Sequence, residues 1–314
     1  MATPITANTI GKVAAGDLTR DLDLSQEELI YLLELSSQVK RNPARYASAL
    51  SGRYLTLLFE KPSLRTRLTF ELAIKQLGGD CVVSTGPIGD REPLKDVARN
   101  LDRWTNGIVA RTFTQQTVDE LAQWSSVPVI NALSDQFHPC QALADMLTIK
   151  EQFGHWRDLK LAFVGDGNNV AHSLMLNAAR LGMNFAIACP KGYEPSAEVV
   201  DTANGLAAVL GSHVLVTHDV AKAVAGAHAV YTDVWASMGQ EEEANERKRV
   251  FAPYQVNTKV MSQARHNAVF MHCLPAKRNL ETTDDVMESP RAVVFDQAEN
   301  RLHAQKALLL MLLD

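Results

Sequence analysis

Tyr54-Leu55-Thr56-Leu57-Leu58-Phe59-Glu60-Lys61-Pro62-Ser63-Leu64-Arg65-Thr66-Arg67 is the stretch on which the architecture turns. The apolar run 54–59 has the length and flanking breakers of a buried strand, and Pro62-Ser63 end it. Beyond Arg67, the residues Phe70, Ala73, Ile74 and Leu77 recur at i, i+3, i+4 and i+7, the stripe of an amphipathic helix, and Gly78-Gly79 supply its stop. Ser63 to Thr66 therefore falls at a helix N-terminus. Unpaired N–H groups and the positive end of the helix dipole favour an anion there, phosphate foremost. The turn carries two hydroxyls and two guanidiniums where acidic residues usually complement the dipole, an unfavourable arrangement unless negative charge arrives. The plain alternative is a Ser cap followed by solvated arginines.

Outward from this turn, residues 25–40 predict a helix opened by a capping box, Ser25 with Glu28, and closed at Asn42-Pro43. A short strand at 81–83 feeds the loop 84–93, which reads either as a reach-over segment or as a surface connection. Residues 95–104 predict a helix and 107–110 a strand that delivers Arg111, at the position where open α/β sheets bind ligands. A helix at 117–125 and a strand at 127–131 come next. The latter leads to Asp135-Gln136-Phe137-His138-Pro139-Cys140-Gln141, with Pro139 placed to open the next helix.

Near Phe153-Gly154 the pattern starts again: a strand at 159–164, a tight turn Gly165-Asp166-Gly167-Asn168-Asn169, a helix at 170–181 and a strand at 184–188. This βαβ unit predicts a second parallel sheet. Its glycines are similar to a dinucleotide fingerprint, yet Val170 holds the third glycine position and Cys189-Pro190 stands where an acidic residue is needed, which argues against NAD. Further strands are expected at 213–216, 229–231 and 268–271, and a last helix at 296–312 with Arg301 near its start. Asp233 comes after one strand end, ahead of Ser237-Met238-Gly239 and a polar stretch, 240–249, read as a charged loop able to close as a lid or simply solvated.

The whole chain, 314 residues with 46% hydrophobic and 21% charged, suggests two globular domains. A net charge of −5 argues against nucleic acid, so an anion site must be local. Cys81, Cys140, Cys189 and Cys273 are scattered without C-x-x-C or zinc spacing, which fits a reduced, cytoplasmic chain. No signal-like or membrane-length apolar run is present, and no membrane partner is expected.

Five separated motifs agree, and together the chain resembles the ornithine carbamoyltransferase family: Ser63-Leu64-Arg65-Thr66-Arg67, Arg111 with His138-Pro139-Cys140-Gln141, Asp233 with Ser237-Met238-Gly239, His272-Cys273-Leu274-Pro275, and Phe295 through Arg301. The resemblance implies an α/β protein of two parallel-sheet sandwich domains: 1–150, which binds carbamoyl phosphate, and 151–296, which binds ornithine. The final helix, about 297–314, returns to the first. It implies transfer of the carbamoyl group to the δ-amine of L-ornithine, giving citrulline and phosphate in arginine metabolism. No metal or organic cofactor is implied, and the basic unit is a homotrimer or a multiple of it. Ser63, Leu64, Arg65 and Thr66 would cradle the phosphate. Arg111, Thr66 and His138 would donate to the carbonyl oxygen as negative charge develops. Gln141 and backbone groups of Cys273 and Leu274 would fix the carbamoyl NH₂, and Arg301 would complete the set. Asn169, Asp233, Ser237 and Met238 would hold ornithine, with Cys273, helped by Asp233, as proton acceptor.

Three positions depart from the family pattern: Leu64 for Thr, Pro87 where some members place a Gln that reaches a neighbouring subunit, and Arg278-Asn279 where many ornithine enzymes carry R-G. The last is similar to N-acetylornithine enzymes, so an acylated ornithine or putrescine is the alternative acceptor; a catalytically silent regulatory subunit is the alternative of another class. Aspartate enzymes typically carry H-P-L-P where Cys273 stands.

Overall fold

The computed structural model describes residues 10–236 and 243–314. Two compact units divide the chain, the first running up to Leu147 and including Asn300–Asp314, the second comprising Thr148–Glu299.

In the first unit the strands β1 (Tyr54–Phe59), β2 (Asp80–Thr85), β3 (Gly107–Arg111) and β4 (Val129–Leu133) form one parallel sheet in the order β2-β1-β3-β4. Its helices are α1 (Gln26–Arg41), α2 (Leu64–Gln76), α3 (Leu94–Leu101), α4 (Gln115–Trp124) and the start of α5 (Pro139–Phe153). Every residue of β1 after Tyr54 is buried, as expected of a parallel strand covered on both faces. Phe59 pairs with Thr85 and with Arg111, so β1, β2 and β3 end at one edge of the sheet. The register slips between Ala110, opposite Asn131, and Arg111, opposite Leu133. Such an irregularity re-aims the side chain beside it, here Arg111.

The capping box forms as expected: Ser25 Oγ accepts from the Glu28 N–H at 3.1 Å, and Glu28 Oε2 accepts from the Ser25 N–H at 2.7 Å. The stripe on α2 is buried, Phe70, Ala73 and Ile74 completely. Strand β4 lies two residues later than the pattern 127–131 predicts. Pro128 has no N–H to donate, and the ladder begins after it, at Val129, with Leu18 bridging to Ile130 along the sheet edge.

The second unit repeats the plan with β5 (Lys160–Val164), β6 (Asn184–Ala188), β7 (Val214–Thr217), β8 (Ala229–Thr232) and β9 (Val269–His272), all parallel in the order β7-β6-β5-β8-β9. Around it lie α6 (Asn169–Arg180), α7 (Ala197–Leu210), α8 (Val220–Val224), α9 (Ala244–Phe251), α10 (Thr258–Gln263) and α11 (Asp284–Met287); α12 (Val294–Leu313) closes the chain. Helix α7 escapes pattern reading because Thr202, Asn204 and Gly205 interrupt its apolar face with weak helix formers. Helix α9 replaces most of the loop expected at 240–249: its Arg247 and Phe251 are buried, so a polar segment gains enough tertiary contact to fold. Gly167 is required by packing, since a Cβ there would stand 2.2 Å from the Pro195 nitrogen. Its place is filled by the protein's own backbone, which accounts for the glycine without a dinucleotide. No helix among the described residues is long and apolar enough to cross a membrane.

Candidate active site

In the first unit the site grows from the N-terminus of α2. Ser63 occupies the cap position in extended geometry, but its side chain makes no capping hydrogen bond. The ordinary Ser cap is therefore not formed. No acidic residue stands in the first turn, while Arg67 is answered by Glu71 at 2.6 Å one turn along. Of the two guanidiniums in the motif, Arg67 is thus neutralised within the helix, and Arg65 is half-buried beside the helix N-terminus.

Thr66 is buried, and its Oγ1 accepts from Arg301 Nη2 at 2.6 Å. With its oxygen engaged as acceptor, the hydroxyl proton is directed elsewhere as a donor. Arg301 is itself only 3% exposed, on α12. Arg111 lies at the end of β3, and His138 immediately precedes α5, which does open at Pro139. Burial, and then the charges of Arg301 and Arg111, hold the His138 pKa well below its ordinary 6.5. The imidazole is neutral at physiological pH and brings one N–H donor. Cys140, in the same motif, is pushed up to about 12 by burial, with its thiol on the Asn131 carbonyl at 3.4 Å; it is an inert core thiol.

Gln141 adds an acceptor to these donors. Gln141 is buried, its Nε2 donates to Asp145 Oδ1 at 2.8 Å, and its Oε1 is buried with no partner among the described residues. Donors of this kind, with a buried acceptor one turn along α5 from His138, suit an anion that also carries an N–H group.

In the second unit Asp233 comes just after β8 and is buried, Oδ1 accepting from the Cys273 thiol at 2.9 Å and from the Val234 N–H at 2.7 Å. Its Oδ2 accepts from Asn168 Nδ2 at 2.9 Å. Asn168, which motif reading passed over in favour of Asn169, also caps α6 by accepting from the N–H groups of Val170 and Ala171. Asn169 stands beside it as the first residue of α6, its Oδ1 accepting from the Val170 N–H at 2.9 Å. An Asn after a Gly-x-Gly turn at a helix start was the available signal.

The turn after β9 is set by His272. Its Nδ1 accepts from the Leu274 N–H at 2.9 Å, so the ring proton is on Nε2, which faces Glu281 Oε1 at 3.3 Å in a fully buried pair. Leu274 sits at φ 58°, and with its N–H used inside the turn, its carbonyl is the backbone group able to accept from a ligand. Ligand atoms of Asp233, His272 and Cys273 lie within 4.8 Å of one another, a spacing that a metal ion could bridge. Both ring nitrogens of His272 are already engaged, however, which leaves a thiol and a carboxylate, too few for a structural site.

Ser237, Met238 and Gly239 lie outside the described residues. Close to them in sequence, the buried Arg247 donates to Asp166 Oδ2 at 2.7 Å, to the Trp235 carbonyl at 3.0 Å and to Glu243 Oε2 at 3.0 Å. Arg278 is held on the surface by Asp284 and by Glu288. Asn279 adopts φ 66°, a left-handed conformation that Asn tolerates better than most residues and that Gly adopts freely. The exchange of R-G for Arg278-Asn279 is therefore conformationally conservative.

Comparison with known proteins places this geometry. Residues 17–151 match the family model described as aspartate/ornithine carbamoyltransferase, carbamoyl-P binding domain, and residues 157–312 match that for the Asp/Orn binding domain. An ornithine carbamoyltransferase of Parafrankia sp. is 52% identical over 302 residues, covering 94% of this chain and 95% of its own. One of Anoxybacillus flavithermus is 52% identical, covering 93% and 94%. Among solved structures, the ornithine carbamoyltransferase of Pyrococcus furiosus superposes with a TM-score of 0.93 at 46% identity, covering 96% of this chain and 98% of that one. An acetylornithine transcarbamylase complexed with acetylcitrulline also superposes, with a TM-score of 0.86 at 34% identity and coverages of 95% and 99%. The fold is thus common to enzymes of both acceptors, and the chain belongs to the aspartate/ornithine carbamoyltransferase family.

Proposed function

We propose that the protein transfers the carbamoyl group of carbamoyl phosphate to the δ-amine of L-ornithine, giving L-citrulline and phosphate. The observation that carries this reading is the set around His138: the buried neutral imidazole, Thr66 with Arg301, the half-buried Arg111, and the acceptor Gln141 Oε1. Carbamoyl phosphate complements it group for group. Its phosphate suits the uncapped N-terminus of α2, with N–H groups of Ser63, Leu64, Arg65 and Thr66 and the Arg65 guanidinium. Backbone recognition explains why Leu64 serves where relatives carry Thr. The carbonyl oxygen takes donors from Thr66, Arg111 and His138, and these strengthen as the oxygen gains negative charge. The NH₂ group donates to Gln141 Oε1.

Asp233 attracts the α-ammonium of ornithine, with Asn169, Ser237 and Met238 on the amino-acid end. The attacking δ-amine has to shed a proton, and Cys273 accepts it as the thiolate, once its own thiol proton has passed to solvent. An α-ammonium arriving beside Asp233 offsets the carboxylate charge that opposes thiolate formation at 2.9 Å. An N-acylated ornithine has no α-ammonium, so Asp233 favours free ornithine over it; putrescine, which keeps an ammonium but has no α-carboxylate, is set apart by Asn169, Ser237 and Met238. Arg278, committed to its surface acids, gives no support to the acylated alternative.

The same reading assigns carbamoyl phosphate to 1–150 with the last helix and ornithine to 151–296, in a reducing, cytoplasmic setting that suits four free cysteines. It also assigns a homotrimer. Leu64, Leu68 and Leu72 are exposed at i, i+4 and i+8 on α2, an apolar strip that another copy would cover. Equilibrium sedimentation at a single-chain mass would refute the trimer. The decisive assay is citrulline formation with ornithine beside N-acetylornithine, putrescine and aspartate. Turnover of ornithine alone supports the assignment; preference for an acylated amine overturns the role of Asp233, preference for a decarboxylated one overturns that of Asn169, Ser237 and Met238, and no turnover with any acceptor overturns the enzyme.

A further inference from the structure

Gln141 and Asp145 stand at i and i+4 on α5, 1% and 0% exposed, and the amide Nε2 meets the carboxylate Oδ1 at 2.8 Å. Asp145 Oδ1 takes this bond as an acceptor, so it fixes which end of the amide faces it. The nitrogen turns to Asp145, and Oε1 is forced to the other side, where it is buried without a partner among the described residues. A buried acceptor in that state is costly until a donor arrives.

We propose that Asp145 is a positioning residue for substrate choice: by locking the flip of Gln141 it makes the site select an acyl phosphate bearing NH₂ over one bearing CH₃. This rests on the reading of the pocket as a carbamoyl phosphate site. Acetyl phosphate has the same shape and charge, with a methyl group in place of the amine. Its phosphate and carbonyl satisfy the same donors, but it leaves Gln141 Oε1 unpaired. A site that supplies hydrogen-bond partners rejects an analogue lacking them far more strongly than an apolar pocket rejects a size change.

The test titrates the full-length protein calorimetrically with carbamoyl phosphate, acetyl phosphate and inorganic phosphate, without ornithine. The wild type is expected to prefer carbamoyl over acetyl phosphate by roughly 30-fold or more, the range of one buried unpaired acceptor. In Asp145→Asn the neighbour offers both a donor and an acceptor, the Gln141 amide can flip, and the preference falls to about threefold, with inorganic phosphate bound as in the wild type. Gln141→Met should lower the preference similarly, and Asp145→Asn should add nothing on that background, since it acts only through the amide. Four results would each overturn the inference: no preference in the wild type, an unchanged preference in Asp145→Asn, parallel weakening of all three ligands, or a further loss in the double variant. Should Asp145→Asn fail to fold, an unchanged preference in Gln141→Met still sinks it. A wild type that binds neither acyl phosphate refutes the pocket assignment itself, a result distinct from binding both without preference.

Discussion

Around Thr66 and His138 the first unit gathers guanidiniums, backbone N–H groups and a neutral imidazole, a set whose charge is fixed before any ligand arrives. Around Asp233 and Cys273 the second unit joins a carboxylate to a thiol at 2.9 Å, with Asn168 on the far carboxylate oxygen. The contrast fits the chemistry proposed for each. Stabilising a dianion and a developing oxyanion needs preorganised donors that do not titrate, whereas drawing a proton from an ammonium needs groups that do. The two regions should therefore fail differently, one in binding and rate together, the other in rate and pH dependence.

The largest expected effect is on the fixed side. Arg65→Ala should lower kcat/KM for citrulline formation by about 10³-fold, on the order of 4 kcal/mol of transition-state stabilisation, with ornithine KM changed little. A loss under tenfold would leave the α2 terminus without its assigned role. Next comes the proton acceptor: Cys273→Ala should reduce kcat by roughly 10²-fold and remove the alkaline rise of the rate, while carbamoyl phosphate titrates as before. A wild-type pH profile in this variant would shift the role to another group. A smaller change is expected from Asn168→Ala, which takes one donor from Asp233 and should raise ornithine KM by about tenfold. Equal increases in both substrates' KM would make Asn168 a residue of folding rather than of the site.

The smallest effect is on stability. His138 binds its proton less readily folded than unfolded, so the unfolded chain takes up more protons as pH falls from about 6.5 toward the depressed folded value. Its contribution is complete above pH 6.5 and is lost below it, with a slope of up to about 1.4 kcal/mol per pH unit. Replacing it in His138→Gln should flatten urea-unfolding stability between pH 6.5 and 5; an unchanged slope would show that the imidazole is not the group responsible.

Much of this molecule was legible in short-range pattern. The strand and helix either side of Pro62-Ser63, the capping box at Ser25 and the helix opening at Pro139 all depend on residues within a turn or two of one another. Helix α9 and the late start of β4 were not, because burial of Arg247 and Phe251 and the loss of the N–H at Pro128 act through partners distant in sequence.

The same division holds in the site. Residue order by itself determined that Arg111 and the 59–66 turn share one edge of the sheet, because parallel strands all deliver their C-terminal loops there. Only the tertiary structure decided the side chains' states: that Arg67 is spent on Glu71, that burial, with Arg301 and Arg111 beside it, keeps His138 neutral, that Asn168 holds Asp233, and that Asp145 sets the Gln141 amide. Burial and hydrogen-bond direction depend on distances between residues up to 235 positions apart, as with Thr66 and Arg301, and no local pattern encodes them.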